Sequence, residues 1–266
     1  DVVAVAGGFP QYFQIGAGCG NYLSFGVFHE ENDGSAKLLP AGVLVDGTPG
    51  AVDQGLIEEM VGFSKFTPAS GGHPYAEATD PVSGKAEAYS WLKAPRYDGH
   101  VMEVGPLARI LIAYQMGDAK IVPLVDAALA GAGRSLADLN SVMGRHLARA
   151  LECKIIADRT AEWIDALVDG GPVLNAHTVP LTAQGYGLTE AARGALGHWM
   201  RVESGVVSNY QCVVPTTWNC SPRDDLGRPG AMEQALVGTP VADPANPIES
   251  VRVVRSFDPC LSCAVH

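Results

Sequence analysis

The sequence predicts a mixed α+β fold, helix-rich in its middle and edged by short peripheral strands. Three observations lead there: short apolar runs broken by glycine near the start, two stretches of helical periodicity in the middle, and a β-branched segment after residue 198. Residues 1–60 alternate apolar runs, such as 22–28 and 38–45, with glycine and polar turns, so strands and loops are expected. Residues 67–85 are rich in Pro, Gly, Ser and Thr and read as loop, with Gly71, Gly72 and Pro74 as breakers. Pro106 opens a helix to about Met116, because a proline in the first turn forfeits no helical hydrogen bond, and Gly117 closes it. Ser135 and Asp138 have capping-box spacing, and apolar residues recur every three or four positions from Leu136 to Val168. One long helix is expected, bent or broken near Gly144. Val202, Val206, Val207, Val213, Val214, Thr216 and Thr217 favour extended chain between His198 and Trp218. Pro247 then starts a short helix through Val254 that carries the tail into the interior.

Composition mainly excludes. The 47% hydrophobic content of 266 residues supports a sizeable core, and no sharp shift in composition divides the chain into two domains. Lys and Arg number 18 against 29 Asp and Glu, a net charge of −11, which disfavours nucleic acid and anionic membrane surfaces as partners. No stretch approaches the ~18–20 apolar residues of a membrane span, and the first thirty residues lack the order of a secretory signal. Six cysteines in a chain this long are not a dense disulfide framework.

The most informative segment is the tail, Asp258-Pro-Cys260-Leu-Ser-Cys263-Ala-Val-His266. Two thiols three residues apart can point the same way from one turn and chelate one ion or bridge two, and thiolates prefer soft or borderline ions such as nickel, zinc or iron. The spacing leaves the metal open. It is also compatible with a reactive dithiol, two buried cysteines, or a zinc clip completed by His266.

This tail resembles the C-terminal motif of the large subunit of nickel-iron hydrogenases. Five upstream blocks share the resemblance in order: 20–26, 89–97, 102–109, 192–199 and 209–219. Such subunits hold their metals with four cysteines, two of them in a Cys-x-x-Cys near the N-terminus, and no such pair precedes Cys260. The chain, which begins at Asp1 without an initiator methionine, is therefore expected to be a single-domain C-terminal half, 1–266, completed by a separate N-terminal half carrying the second Cys-x-x-Cys. Alone it should not assemble the metal site. The resemblance further implies that His266 is a matured end, left after a short extension is removed.

Several roles follow from the resemblance. Cys260 would be a terminal nickel ligand, and Cys263 would bridge nickel and iron. His266 would hold a magnesium or iron ion nearby, to which Cys212 lends its main-chain carbonyl; a hard cation wants oxygen donors, so the Cys212 side chain is expected to be only a small buried hydrophobe. Arg193 would hang over the iron and hydrogen-bond a cyanide ligand, a task suited to a guanidinium that is always charged. Ala192 departs from the proline more common before this arginine. Pro215 and Thr216 would face the second cyanide, and Asp258 would orient Arg193 or hold its loop. Blander readings stand beside these: a surface salt bridge for Arg193, a strand residue for Thr216, a turn cap for Asp258. His198 is expected to be a satisfied core histidine rather than part of a proton route.

The implied activity is reversible oxidation of dihydrogen to protons and electrons. It proceeds at a nickel-iron centre whose iron carries cyanide and carbon monoxide, with a cysteine sulfur or Arg193 taking the proton. Electrons would leave through iron-sulfur clusters of a small subunit, since this chain lacks the cysteines to build them. The resemblance also implies a periplasmic location, reached on the small subunit's signal and membrane-associated only through partners; cytoplasm is the alternative. Two other classes compete: a non-catalytic subunit of a respiratory electron-transfer complex, which the retained Cys260 and Cys263 disfavour, and a structural zinc protein.

Overall fold

The computed structural model describes residues 1–266 apart from 31–35, 77, 172–173, 175–176 and 265–266. It opens with helix α1 (Val2–Gly8) and a 3-10 turn (Pro10–Phe13), where strands and loops were expected. The correction has a tertiary cause. Ala6 is buried, and Val2 and Val3 pack against the core beside α3 and α4, which overrides the β preference of the valines.

Strands follow within residues 22–60 as the sequence indicates, β1 (Tyr22–His29), β2 (Lys37–Val45), β3 (Thr48–Gly50) and β4 (Ile57–Met60), and two more that the sequence did not signal, β5 (Ala94–Tyr97) and β6 (Glu103–Val104). Four form a sheet ordered β3-β2-β1-β6, with Tyr22 opposite Leu44 in the antiparallel pair β1/β2 and opposite Glu103 in the parallel pair β1/β6. Asp46 and Gly47, both at positive φ, make the tight turn from β2 to β3. β4 and β5 pair separately, joined by the Pro/Gly-rich loop read from the sequence. Lys85 fastens that loop by donating to the carbonyls of Val61, Ser64 and Phe66 at 2.5, 3.0 and 3.1 Å.

Helix α2 (Pro106–Gln115) has Pro106 at its start, and Gly117 follows it at φ +74°, as expected. It lies on β1 and β2 with Ile110, Ile112 and Ala113 buried. Helix α3 (Ile121–Ala132), for which the sequence reading made no provision, ends at the left-handed Gly133. The expected long helix is two elements. The Ser135–Asp138 capping box forms, but it caps a 3-10 turn (Leu136–Leu139); α4 (Val142–Asp165) restarts at Ser141, whose Oγ accepts from the Gly144 amide at 3.0 Å. The break thus precedes Gly144, and the helix stops three residues short of Val168.

Three antiparallel strands come next: β7 (Thr182–Ala191), β8 (Gly194–Glu203) and β9 (Val206–Val213). The extended structure expected from His198 holds only through Val213. Residues 215–219 form a short helix, α5 (Pro215–Asn219), with Pro215 in its first turn and all five residues buried, so burial against neighbours decides over the β preference of Thr216 and Thr217. After α6 (Ala231–Leu236) comes α7 (Ile248–Ser256), running two residues past the expected Val254 with Pro247 as its N-cap, and then the tail helix α8 (Leu261–Ala264).

Candidate metal centre

The tail is steered by its own backbone. After α7, Phe257 is buried, and Asp258 takes φ +52°, a left-handed conformation that an aspartate tolerates better than most residues and that reverses the chain. The Cys263 amide donates to the Cys260 carbonyl at 3.2 Å, closing one turn, and the Cys260 amide donates to Thr216 Oγ1 at 3.1 Å. The buried hydroxyl at the start of α5 therefore anchors the tail. The turn sets the two thiols beside each other, close enough that each perturbs the other, so both sulfurs can serve one ion.

Their environments differ. The Cys263 thiol and its backbone amide, assisted by the Ser262 amide and the Arg193 charge, hold the Cys260 thiol below its ordinary pKa. Burial, reinforced by Cys260, pushes the Cys263 thiol up, with Thr216 opposing. By contrast, burial pushes Cys19 and Cys220 up to about 12, so they behave as apolar side chains.

Arg193 lies in the two-residue turn between β7 and β8. Its Nε donates to the Asp258 carbonyl at 2.7 Å and lies 3.3 Å from Asp258 Oδ2, and Nη2 reaches Oδ1 at 3.4 Å. The turn sits closely on the start of α2: Gly194 has φ +137°, and a Cβ there would stand 2.7 Å from the Gly105 nitrogen. One turn into α2, the buried Arg109 donates to Glu190, to Glu152 and to the carbonyls of Ala191 and Ala192. Sequence reasoning met Arg109 only inside a matching block; nothing in its spacing announces a partner 81 residues away.

A cleft of about 540 Å³ lies between the tail and β9, lined by Cys263, Thr217, Cys212, Glu59 and Lys93 among others. It brings Cys212 and Cys263 to one space. The Cys212 thiol is half-buried and lies 3.0 Å from His198 Nδ1, which is itself 2.5 Å from the Tyr210 hydroxyl, so this side chain is a hydrogen-bonding group rather than the small buried hydrophobe expected. His198 is half-buried and partnered. Glu59, also unforeseen, is buried, accepts from Gln211 Nε2 at 2.6 Å, and has the Lys93 ammonium 3.8 Å away. Pro215 and Thr216 are buried directly under the tail, while His266, the expected ligand of a neighbouring ion, lies outside the described residues.

Chemically, the described residues offer two neighbouring thiol donors. Two converging sulfurs suit nickel, iron or zinc, yet among the described residues no three His, Cys, Asp or Glu side chains gather as a cage. The donor set fits a metal shared with ligands from further sequence. A two-cysteine tail turn beneath an arginine-bearing hairpin, on a mixed α+β scaffold, is an arrangement that can offer thiolates to a metal.

The chain belongs to the nickel-dependent hydrogenase family, whose model matches residues 1–266. It is 39% identical over 305 aligned positions to the hydrogenase-1 large chain of Citrobacter freundii, covering all of this chain and 51% of that one. It is 40% identical to the periplasmic [NiFeSe] hydrogenase large subunit of Desulfomicrobium baculatum, over 97% of this chain and 51% of that one. Among solved structures, the H2-activated Desulfomicrobium baculatum [NiFeSe] hydrogenase superposes with TM-score 0.89 at 37% identity, covering 100% of this chain and 55% of that one. The reduced [NiFeSe] hydrogenase of Desulfovibrio vulgaris Hildenborough matches equally well, with TM-score 0.89, 37% identity, and 100% and 56% coverage. The chain spans about half the length of the curated relatives it matches, and aligns with the C-terminal half of the large subunit. The family and fold class expected from the tail and its upstream blocks are borne out.

Proposed function

We propose that this chain forms the C-terminal half of a subunit that oxidises dihydrogen reversibly to protons and electrons, with Cys260 and Cys263 supplying half the protein ligands of a nickel-iron centre. The observation that carries this reading is the single turn on which both sulfurs converge, pinned to Thr216 and faced by Arg193. The other half of the ligands comes from a Cys-x-x-Cys in an N-terminal half, with which residues 1–266 complete one domain. When bound, the metal pair supplies the Lewis-acid and redox chemistry that cleaves dihydrogen.

This chain's own groups do the rest. Asp258 engages Nε and Nη2 of Arg193, leaving Nη1 without a hydrogen bond among the described residues and available to the cyanide on iron. The Thr216 hydroxyl, held under the tail with Pro215, would serve the second cyanide of an iron that also carries carbon monoxide. The lowered Cys260 thiol favours the thiolate that a metal requires, and a cysteine sulfur or Arg193 would hold the proton that the reaction releases. Low-dielectric surroundings make separated charge expensive, so such donors must be fixed before reaction. The Cys212 carbonyl and His266 would hold a magnesium or iron ion beside the centre. Iron-sulfur clusters in a small subunit would take the electrons, and a periplasmic place for the assembly fits the relative named a periplasmic hydrogenase.

The decisive measurement is infrared absorption of the assembled enzyme together with its nickel and iron content. Iron-bound cyanide and carbon monoxide bands with both metals present are expected; zinc alone, without those bands, would sink the proposal. Cys263→Ser should remove nickel and lower hydrogen-dependent dye reduction at least a thousandfold, and wild-type activity in that variant would overturn the assignment of Cys263.

A further inference from the structure

We infer that Arg109, in the first turns of α2, is the positioning residue for Arg193: its buried guanidinium fixes the β7–β8 turn in the one placement from which Arg193 reaches Asp258 and the thiol tail. This rests on the proposed function only for the consequence to catalysis; the placement itself is read from the contacts.

Four acceptors meet one guanidinium. Nη1 donates to Glu190 at 2.5 Å and to the Ala191 carbonyl at 3.2 Å, and Nη2 donates to Glu152 at 2.9 Å and to the Ala192 carbonyl at 3.0 Å. Two of these are consecutive main-chain carbonyls immediately before Arg193, held by a rigid planar fork. Gly105, the residue just before α2, supplies a second seat. Its φ is +118°, and a Cβ on it would stand 2.9 Å from the Arg193 carbonyl.

Stability alone does not account for this arrangement. Buried ion pairs are often replaceable by apolar side chains without loss, so packing between α2, α4 and β7 would be served as well by leucine or methionine. An apolar side chain cannot engage two adjacent carbonyls. The guanidinium is therefore matched to the turn that delivers Arg193, and the carboxylates of Glu190 and Glu152 keep it charged and aimed.

The test uses the assembled enzyme carrying Arg109→Lys, Arg193→Lys and both together. Arg109→Lys keeps a charge for Glu190 and Glu152 but cannot span both carbonyls. It should retain nickel and iron, leave KM for dihydrogen unchanged, lower kcat at least tenfold, and speed amide hydrogen exchange across residues 191–194. Because Arg109 acts through Arg193, the double variant should be no slower than Arg193→Lys alone. If Arg109→Lys does not fold, Glu190→Gln loosens the same clamp from its other side and should give the same pattern. Wild-type kcat and exchange in the first variant would overturn the inference, as would losses that multiply in the double variant while metal content falls. An unmutated enzyme without hydrogen oxidation would defeat the proposed function instead; exchange at 191–194 and the position of Arg193 in a crystal structure of Arg109→Lys would still decide the placement.

Discussion

Thr216 shows how much one hydroxyl can carry. Its Oγ1 is the acceptor for the Cys260 amide, and its own side chain is buried, so no water stands ready to replace it. Thr216→Val keeps the shape and leaves that amide unpaired, a loss of about 1–3 kcal/mol. The expected result is faster hydrogen exchange at residues 260–263 and a roughly tenfold fall in hydrogen-dependent activity of the assembled enzyme; unchanged exchange would show that the tail is held by other means. At this scale the sequence was legible where chemistry is local. Cys260 and Cys263 announce themselves by spacing, and Asp258 and Arg193 by the blocks around them. Glu59 and Arg109 did not, because a buried carboxylate and a buried arginine look like surface charges until their partners, 152 and 81 residues away, are placed.

Elements were legible where one local signal decides. Pro106 and Gly117 bound α2 as written, whereas the start of α4 turned on a contact. A Cβ on Gly144 would lie 2.0 Å from the Leu139 carbonyl, so only glycine lets the 3-10 turn fold against the first turn of the helix. Helix propensity alone says Gly144→Ala should stabilise by about 1 kcal/mol. The close approach reverses the sign, and we expect a net destabilisation of ~1–3 kcal/mol from overpacking, measured as a lower urea midpoint. A higher midpoint would mean that the turn moves aside freely. The same competition explains α1 and α5, where valines and threonines with strand preference become helical because burial against neighbouring helices and strands outweighs local propensity.

Across the molecule, three buried arginines tie distant segments together: Arg96 to Asp224, Arg109 to Glu190 and Glu152, and Arg145 to Glu103. Asp224 provides a test. Burial alone would raise its carboxyl, but the Arg228 amide and then the Arg96 guanidinium outweigh burial and hold it below the usual range. A carboxyl depressed in the folded state stabilises the fold above its unfolded pKa of about 4, and that contribution is lost as pH falls through the lower folded value. Asp224→Asn should therefore cost roughly 3–5 kcal/mol near neutral pH by stranding Arg96. The gap to the unmutated protein should stay constant above about pH 5 and narrow as pH falls below about 4. A gap that widens on acidification would contradict the pairing.

By itself the sequence determined the family, the pairing of Cys260 with Cys263 on one turn and the elements bounded by proline and glycine, since each signal, the ordered blocks included, is carried by residues a few positions apart. Only the tertiary structure decided that Thr216 anchors the tail, that of the two roles open to Asp258 it accepts from Arg193 across the fold, and that Arg109 grips the turn beneath it. Those contacts join segments 44, 65 and 81 or more residues apart, and a hydrogen bond depends on distance in space, which spacing along the chain does not encode.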